Sequence, residues 1–274
     1  MLSWSLEMGG ELTTQTRDVA TLESPDSPGP RLDLKGILRW MWNSPVILGV
    51  ATTAFFILVW HIVAELEVFS PLLLPGPTVI WSTFIDLWTK EYQGNTLVGH
   101  TAASLRVAFT GWGAAVVLGL PLGIWIGWSR TAREIVMPVF VMLRPIPPIA
   151  WIPFAVIWLG FGVTARSFVV FLSAFFPIVL NSVEAVVSID KVQYHAAENL
   201  GATPRQTFRR IVLPTSLPIL LTGGRIALGN AWMTLVAAEM LGATAGLGFM
   251  ALAARRTLDS DIMFVAMGVL GAVS

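Results

Sequence analysis

The chain has 274 residues, of which 55% are hydrophobic and 12% charged, about half the charge of an ordinary soluble domain. Its 17 basic and 17 acidic residues cancel, so no overall field draws it to nucleic acid or an anionic surface. It has no cysteine, which excludes disulfides and thiolate metal sites, and His61, His100 and His195 are too dispersed for a histidine-built zinc site.

Residues 1–30 are polar and end in Ser24-Pro25-Asp26-Ser27-Pro28-Gly29-Pro30. They lack the basic start and apolar core of a signal peptide, and residues 1–35 read as a flexible cytoplasmic tail. Residues 36–45 mix Ile37, Leu38, Trp40 and Trp42 with Arg39. That mixture fits an interfacial helix, and a plain linker fits nearly as well. A spanning helix takes about 20 mostly apolar residues. Such runs fall near 46–64, 103–128, 135–160, 166–187 and 215–241. A sixth begins at Ile262 and reaches Ser274, roughly 20 Å of helix and too short to cross, so it reads as cut short. The expected architecture is all-α and integral to the membrane, with about six spans over 46–274.

Orientation follows the basic residues of the short loops. Lys35, Arg39, Arg130, Arg133, Lys191, Arg205, Arg209 and Arg210 fall on one side, against Lys90, Arg255 and Arg256 on the other. The first side, with the N-terminus, is expected to be cytoplasmic. After the first span, Pro75-Gly76-Pro77 leads into an amphipathic stretch, Thr78 to Trp88, expected as a helix on the outer surface. In the second span Gly119, Gly123 and Gly127 share one helix face. They permit close backbone approach, within the chain as the first reading or at a subunit interface as the second.

The polar stretch 188–214 reads as two short helices. Ser188 or Asp190 caps the first, and Gly201 suits the left-handed position that ends it. Thr203, Pro204 and Gln206 spell a capping box for the second. Its apolar face holds Phe208, Ile211 and Val212, its basic face Arg205, Arg209 and Arg210. Such a pair cannot bury that face alone and must rest on its own membrane domain or on a partner, with Phe208 and Ile211 the expected contact. Pro214 is expected to stop the helix ahead of the fifth span.

An ionisable side chain within a span costs roughly 2.5–3.5 kcal/mol on insertion scales and needs a reason. Arg144 lies inside the third run, ahead of Pro145, Pro147 and Pro148, which break the helix. Broken backbone at depth belongs beside protein or water. Contact with an anion in a pathway fits Arg144, and so does bracing of the break or pairing with Glu184 or Glu239. In the fifth run Asn230, Met233, Thr234, Glu239 and Met240 are further pathway candidates with Pro147, although ordinary packing also accounts for them. Glu239 would repel an anion, which favours a structural or gating role.

His195-Ala196-Ala197, then Glu198, Gly201 and Ala202, then Phe208, Arg209, Ile211 and Leu213-Pro214, together resemble the EAA loop of bacterial ABC importer permeases. His195 stands where that family has glutamate, and Glu198, one turn on, is placed to substitute. The likeness continues in Leu74-Pro75-Gly76-Pro77, Ser104-Leu105-Arg106, Arg144-Pro145-Ile146-Pro147-Pro148, Phe175-Phe176-Pro177, and Ala238-Glu239-Met240-Leu241 with Gly246-Leu247-Gly248. These resemble the nitrate/sulfonate/taurine/bicarbonate branch, with cyanobacterial nitrate and bicarbonate permeases the nearest likeness.

The resemblance implies a type I importer fold in a bacterial inner membrane, with 188–214 as the coupling loop. It implies a second permease subunit, a homodimer by expectation, and two cytoplasmic ATPases that carry ATP and magnesium. It also implies a substrate-binding protein on the outer side. The chain itself needs no cofactor, metal or catalytic residue. It has no Gly-x4-Gly-Lys-[Ser/Thr] phosphate loop. Nitrate is the first expected substrate, bicarbonate the second, an alkanesulfonate the third. An ATP-independent channel or secondary transporter for small anions is the alternative. An intramembrane enzyme is disfavoured, because no Gly-x-Ser-x-Gly elbow accompanies His61.

Overall fold

The computed structural model describes residues 45–240 and 242–274. The expected tail (1–35) and interfacial helix (36–45) lie outside the described residues, apart from Pro45. The chain divides into two compact units, residues 1–56 and 57–274. Of the first, only the start of helix α1 (Pro45–Glu65) is described. Val46, Val50, Phe55 and Phe56 are exposed there, which suits hydrocarbon as solvent.

In the second unit, α2 (Pro77–Thr89) precedes α3 (Leu97–Trp128), which is capped by the Thr96 side chain. That cap starts α3 six residues ahead of the expected 103. α3 packs along α6 (Val163–Val187), and α6 packs on the helix ending at Met240. Glycine explains the close approach of α3 and α6. A Cβ at Gly123 would lie 2.5 Å from Ser182 Cβ and 2.6 Å from the Val179 carbonyl. At Gly119 and Gly127 it would meet Ile178 and Val186 at 2.9 and 2.8 Å. The glycine face is therefore filled from within the chain. Ala115, Val170, Ala174, Ile178, Ala227, Ala231 and Leu235 complete the core between the three helices.

The run expected as one span over 135–160 is broken. α4 (Arg130–Leu143) ends, a 3₁₀ turn spans Pro148–Trp151, and α5 (Ile152–Leu159) leaves at 85° to α4. Pro145, Pro147 and Pro148 supply no amide for a continuous ladder. Among the described residues four helices are long and apolar enough to cross a membrane, five if the bent pair is one crossing. The final helix, Ser260–Val273, is apolar but shorter.

Pro214 does not stop the chain, contrary to expectation. A short helix α8 (Pro204–Thr207) runs through a π segment (Phe208–Val212) into α9 (Leu213–Met240). Leu213 N–H bonds to the Phe208 carbonyl, five residues back. The wider π turn just ahead of Pro214 relieves the clash and the missing donor that would break an α-turn.

Candidate functional sites: a capped external loop and a buried clamp

The first site is the loop between α6 and α9. Its helix α7 (Lys191–Asn199) starts at Asp190, whose carboxylate accepts from Val192 N at 2.9 Å. It ends at Gly201, with φ of 74°. There Gly201 N donates to Glu198 O at 2.9 Å and Ala202 N to Ala197 O at 3.0 Å, a Schellman closure. In α8 Thr203 N donates to Gln206 Oε1 at 2.8 Å, and Gln206 N returns to Thr203 Oγ1 at 3.4 Å. Both helices are thus set by neighbours in sequence, as the residue pattern predicts.

Of the two supports open to the loop's apolar face, the chain's own membrane domain takes part of it. Val212 is fully buried with Val186 and Ile189. Phe208 packs edge-on against Trp128, ring centroids 5.3 Å apart, with Tyr194 on the same indole at 6.2 Å. Phe208, half-buried, therefore helps seat the loop on α3. Burial pushes the Tyr194 phenol up, keeping it uncharged. What faces outward is an open groove of about 360 Å³ lined by Gln193, Ala196, Ala197, Leu200, Arg210 and Ile211. Leu200 is 87% exposed at its rim. His195, Glu198 and Arg209 are exposed, with His195 Nδ1 3.7 Å from Glu198 Oε2. Ala202 is half-buried, and Pro214 is exposed.

The second site is at the other end of the bundle, where α9 turns into α10 (Leu247–Thr257). Four successive residues of the turn are each held by a different side chain. Arg166 of α6 donates Nη1 to Ala245 O at 3.1 Å and Nε to Gly162 O at 3.1 Å. Gly246 N donates to His100 Nδ1 at 3.1 Å. Leu247 N donates to Ser104 Oγ at 2.8 Å, and Gly248 N to Glu239 Oε2 at 2.9 Å. Ser104 Oγ donates in turn to Glu239 Oε1 at 2.7 Å. His100 Nε2 lies 2.9 Å from the Tyr92 carbonyl, so the ring carries its proton on Nε2. His100, Ser104, Glu239 and Arg166 are all buried. The clamp satisfies the first amides of α10, which have no partner inside their own helix. It also places a carboxylate at the positive end of that helix.

The remaining pathway candidates separate. Arg144 follows α4 and is exposed, as are Pro147, Asn230 and Met233. Among the described residues no ion pair joins Arg144 to Glu184 or Glu239. Thr234 is buried, its hydroxyl 2.7 Å from that of Ser173, and Met240 is half-buried. Sequence pattern alone gives His100 and Arg166 no role. Their signal was present: an ionisable group in an apolar helix must be paired or hydrogen-bonded. No group of three metal-ligating side chains comes together among the described residues.

Long apolar helices and a broken span mark a multi-span membrane protein of all-α class. Residues 119–274 match the family of the binding-protein-dependent transport system inner membrane component, and the chain belongs to that family. It is 38% identical over 240 residues to the taurine transport system permease protein TauC of Escherichia coli, covering 86% of this chain and 87% of that one. It is 32% identical over 220 residues to the nitrate import permease protein NrtB of Synechocystis, covering 78% and 79%. Its fold matches the MetNI methionine ABC transporter in an inward-facing form, with a TM-score of 0.56 at 24% identity over 65% of this chain and 88% of that one. The chain is thus an ABC permease subunit, and its partner ATPases, not this chain, hydrolyse ATP.

Proposed function

We propose that this chain forms the translocation pathway of an ATP-driven importer for a small oxyanion. The observation that carries the reading is the external loop. It is rigidly capped, seated on α3 through Phe208, and open outward in a groove edged by Leu200. A channel needs no such element, whereas a subunit driven by an ATPase needs a stiff handle. In this reading Ala196, Ala197, Glu198, Gly201, Arg209 and Ile211 couple to the ATPase. A second copy of the chain completes the pathway, residues 46–274 form the permease domain, and the N-terminus and loop face the cytoplasm. A binding protein delivers substrate to the opposite side.

The taurine permease matches with higher identity and over more of the chain than the cyanobacterial nitrate permease. This favours an organosulfonate as the first substrate to test, ahead of nitrate and then bicarbonate. Each is an oxyanion or carries one as a sulfonate, and exposed Arg144 beside a proline-broken backbone supplies a guanidinium for it. Asn230 and Met233 share the exposed side of α9 and extend the same pathway, whereas Thr234 and Glu239 act from within the packing.

The test is uptake of isotopically labelled taurine, nitrate and bicarbonate into liposomes that hold the permease, its ATPase and its binding protein. ATP-dependent accumulation of one of the three is expected, with Arg144→Gln lowering it while the complex still assembles. Uptake that proceeds without ATP would instead establish the channel reading.

A further inference from the structure

α2 lies between two helices long and apolar enough to cross a membrane, α1 and α3, so both its ends fall on the side where α1 finishes and α3 begins. Its start is at Gly76, where an added Cβ would lie 3.7 Å from Ala64 Cβ at the end of α1. Its end leads through the Tyr92–Asn95 bridge directly into α3. With no span between the end of α1 and the start of α3, α2 must run along the membrane surface on that side, about 20 Å long by its 13 residues.

The helix has three faces. Ile80, Phe84 and Leu87 pack into the core, and Thr83 Oγ1 donates to Asp261 Oδ2 at 2.7 Å. Ser82, Asp86 and Thr89 are exposed, with Asp86 paired to Lys90 at 3.0 Å. The third face, Trp81, Ile85 and Trp88, is apolar and exposed at 64%, 53% and 57%. Its indoles are braced on Phe84, with ring centroids 5.6 and 5.9 Å away. In the segment leading from α1, Leu66, Phe69, Leu72 and Leu73 are also exposed.

We propose that Trp81, Ile85 and Trp88 anchor α2 in the lipid leaflet, at the boundary between headgroups and acyl chains. The occupant of this face is lipid because α2 starts beside Ala64, at the end of an apolar span, and presents an uncharged apolar face from there. Indole suits that depth, being apolar in body with one polar N–H. The face carries no charge for a protein partner to read, and the charged pair Asp86–Lys90 lies on the water side. The anchor reaches further than α2. Thr83–Asp261 and the Ser260 to Leu72 hydrogen bond tie it to α11 (Ser260–Val273). The depth of α2 in the leaflet therefore sets the outer end of α11.

The chain has no cysteine, so single spin labels can be placed without background. The transporter complex is reconstituted in phosphatidylethanolamine–phosphatidylglycerol liposomes with labels at Trp81→Cys, Ile85→Cys, Trp88→Cys, Ser82→Cys and Asp86→Cys. Collision rates with oxygen and with a water-soluble nickel chelate are compared, each variant first being shown to retain uptake. If a tryptophan variant does not assemble, Ile85→Cys against Ser82→Cys carries the same comparison. Oxygen should dominate at 81, 85 and 88 and nickel at 82 and 86. Equal nickel access on all faces would overturn the proposal. So would nickel access at 81 and 88 that disappears only when the binding protein is added, which would make the face a protein docking site.

Discussion

The external loop and the buried clamp are both devices for holding short helices, and they are built in opposite ways. In the loop, each cap comes from a residue two to five positions away: Asp190 to Val192, Gly201 to Glu198, Ala202 to Ala197, Thr203 to Gln206. In the clamp, His100 and Ser104 reach amides 146 and 143 residues away. Local capping makes the loop a stiff piece, seated on its own membrane domain through Phe208 and Tyr194 on Trp128 and through Val212 against Val186 and Ile189. Long-range capping welds α3, α6 and α9 to the start of α10, so that those elements move together. A transporter that couples an external motion to a gate needs both: a stiff lever and a body that does not deform.

The largest expected effect comes from breaking the weld. Glu239→Leu removes the acceptor of two buried donors, Ser104 Oγ and Gly248 N. Each orphaned donor costs roughly 1–3 kcal/mol. The thermal unfolding midpoint of the purified complex should fall further than for any loop variant. A midpoint equal to wild type would mean that the clamp is not a structural weld.

Next is the close approach that positions the weld. Gly123→Ala drives a methyl against Ser182 and the Val179 carbonyl at 2.5–2.6 Å, and overpacking of this kind costs about 1–3 kcal/mol. Gly113→Ala, with nothing within 4 Å of its added Cβ, is the control. It should be neutral or stabilising by up to about 1 kcal/mol, from helix propensity alone. Equal melting points for the two variants would show that α3 and α6 can separate freely.

The contrast between the two sites also explains what could be read from residue order. Asp190, Gly201, Thr203 and Gln206 act on near neighbours, so pattern alone predicts their roles. Helical periodicity shows that Phe208, Ile211 and Val212 share a face but not what the face meets. Trp128, the answer for Phe208, is 80 residues away in number and carried no mark. The rule that proline ends a helix assumes an α-turn, and the π segment before Pro214 evades it. In the clamp, Ser104, Glu239 and the Gly246-Leu247-Gly248 turn belong to separate motif fragments. Only packing shows that they form one network, with His100 and Arg166 as its unannounced members.

Gly201 tests the lever without touching the body. Its φ of 74° is left-handed, and nothing lies within 4 Å of an added Cβ, so Gly201→Val acts through backbone alone. The left-handed region costs an L-residue roughly 1–2 kcal/mol, and a β-branched residue resists it most. ATP hydrolysed per anion imported should rise while the complex stays assembled. A normal ratio would show that the turn can reshape without loss of coupling.

The smallest effect belongs to Thr203→Ala, and it bears most directly on the comparison. Losing this cap costs about 1 kcal/mol of local helix stability. α8 runs on through the π segment into α9, and Phe208 still seats the loop on Trp128. The damage should therefore remain within the first turn of α8. Amide hydrogen exchange at 203–207 should quicken, while exchange at 246–250 and the unfolding midpoint stay as in wild type. If exchange at 246–250 quickened as well, the cap would be supporting the clamp through α9. The two sites would then be parts of one continuous element, not a separable lever and body.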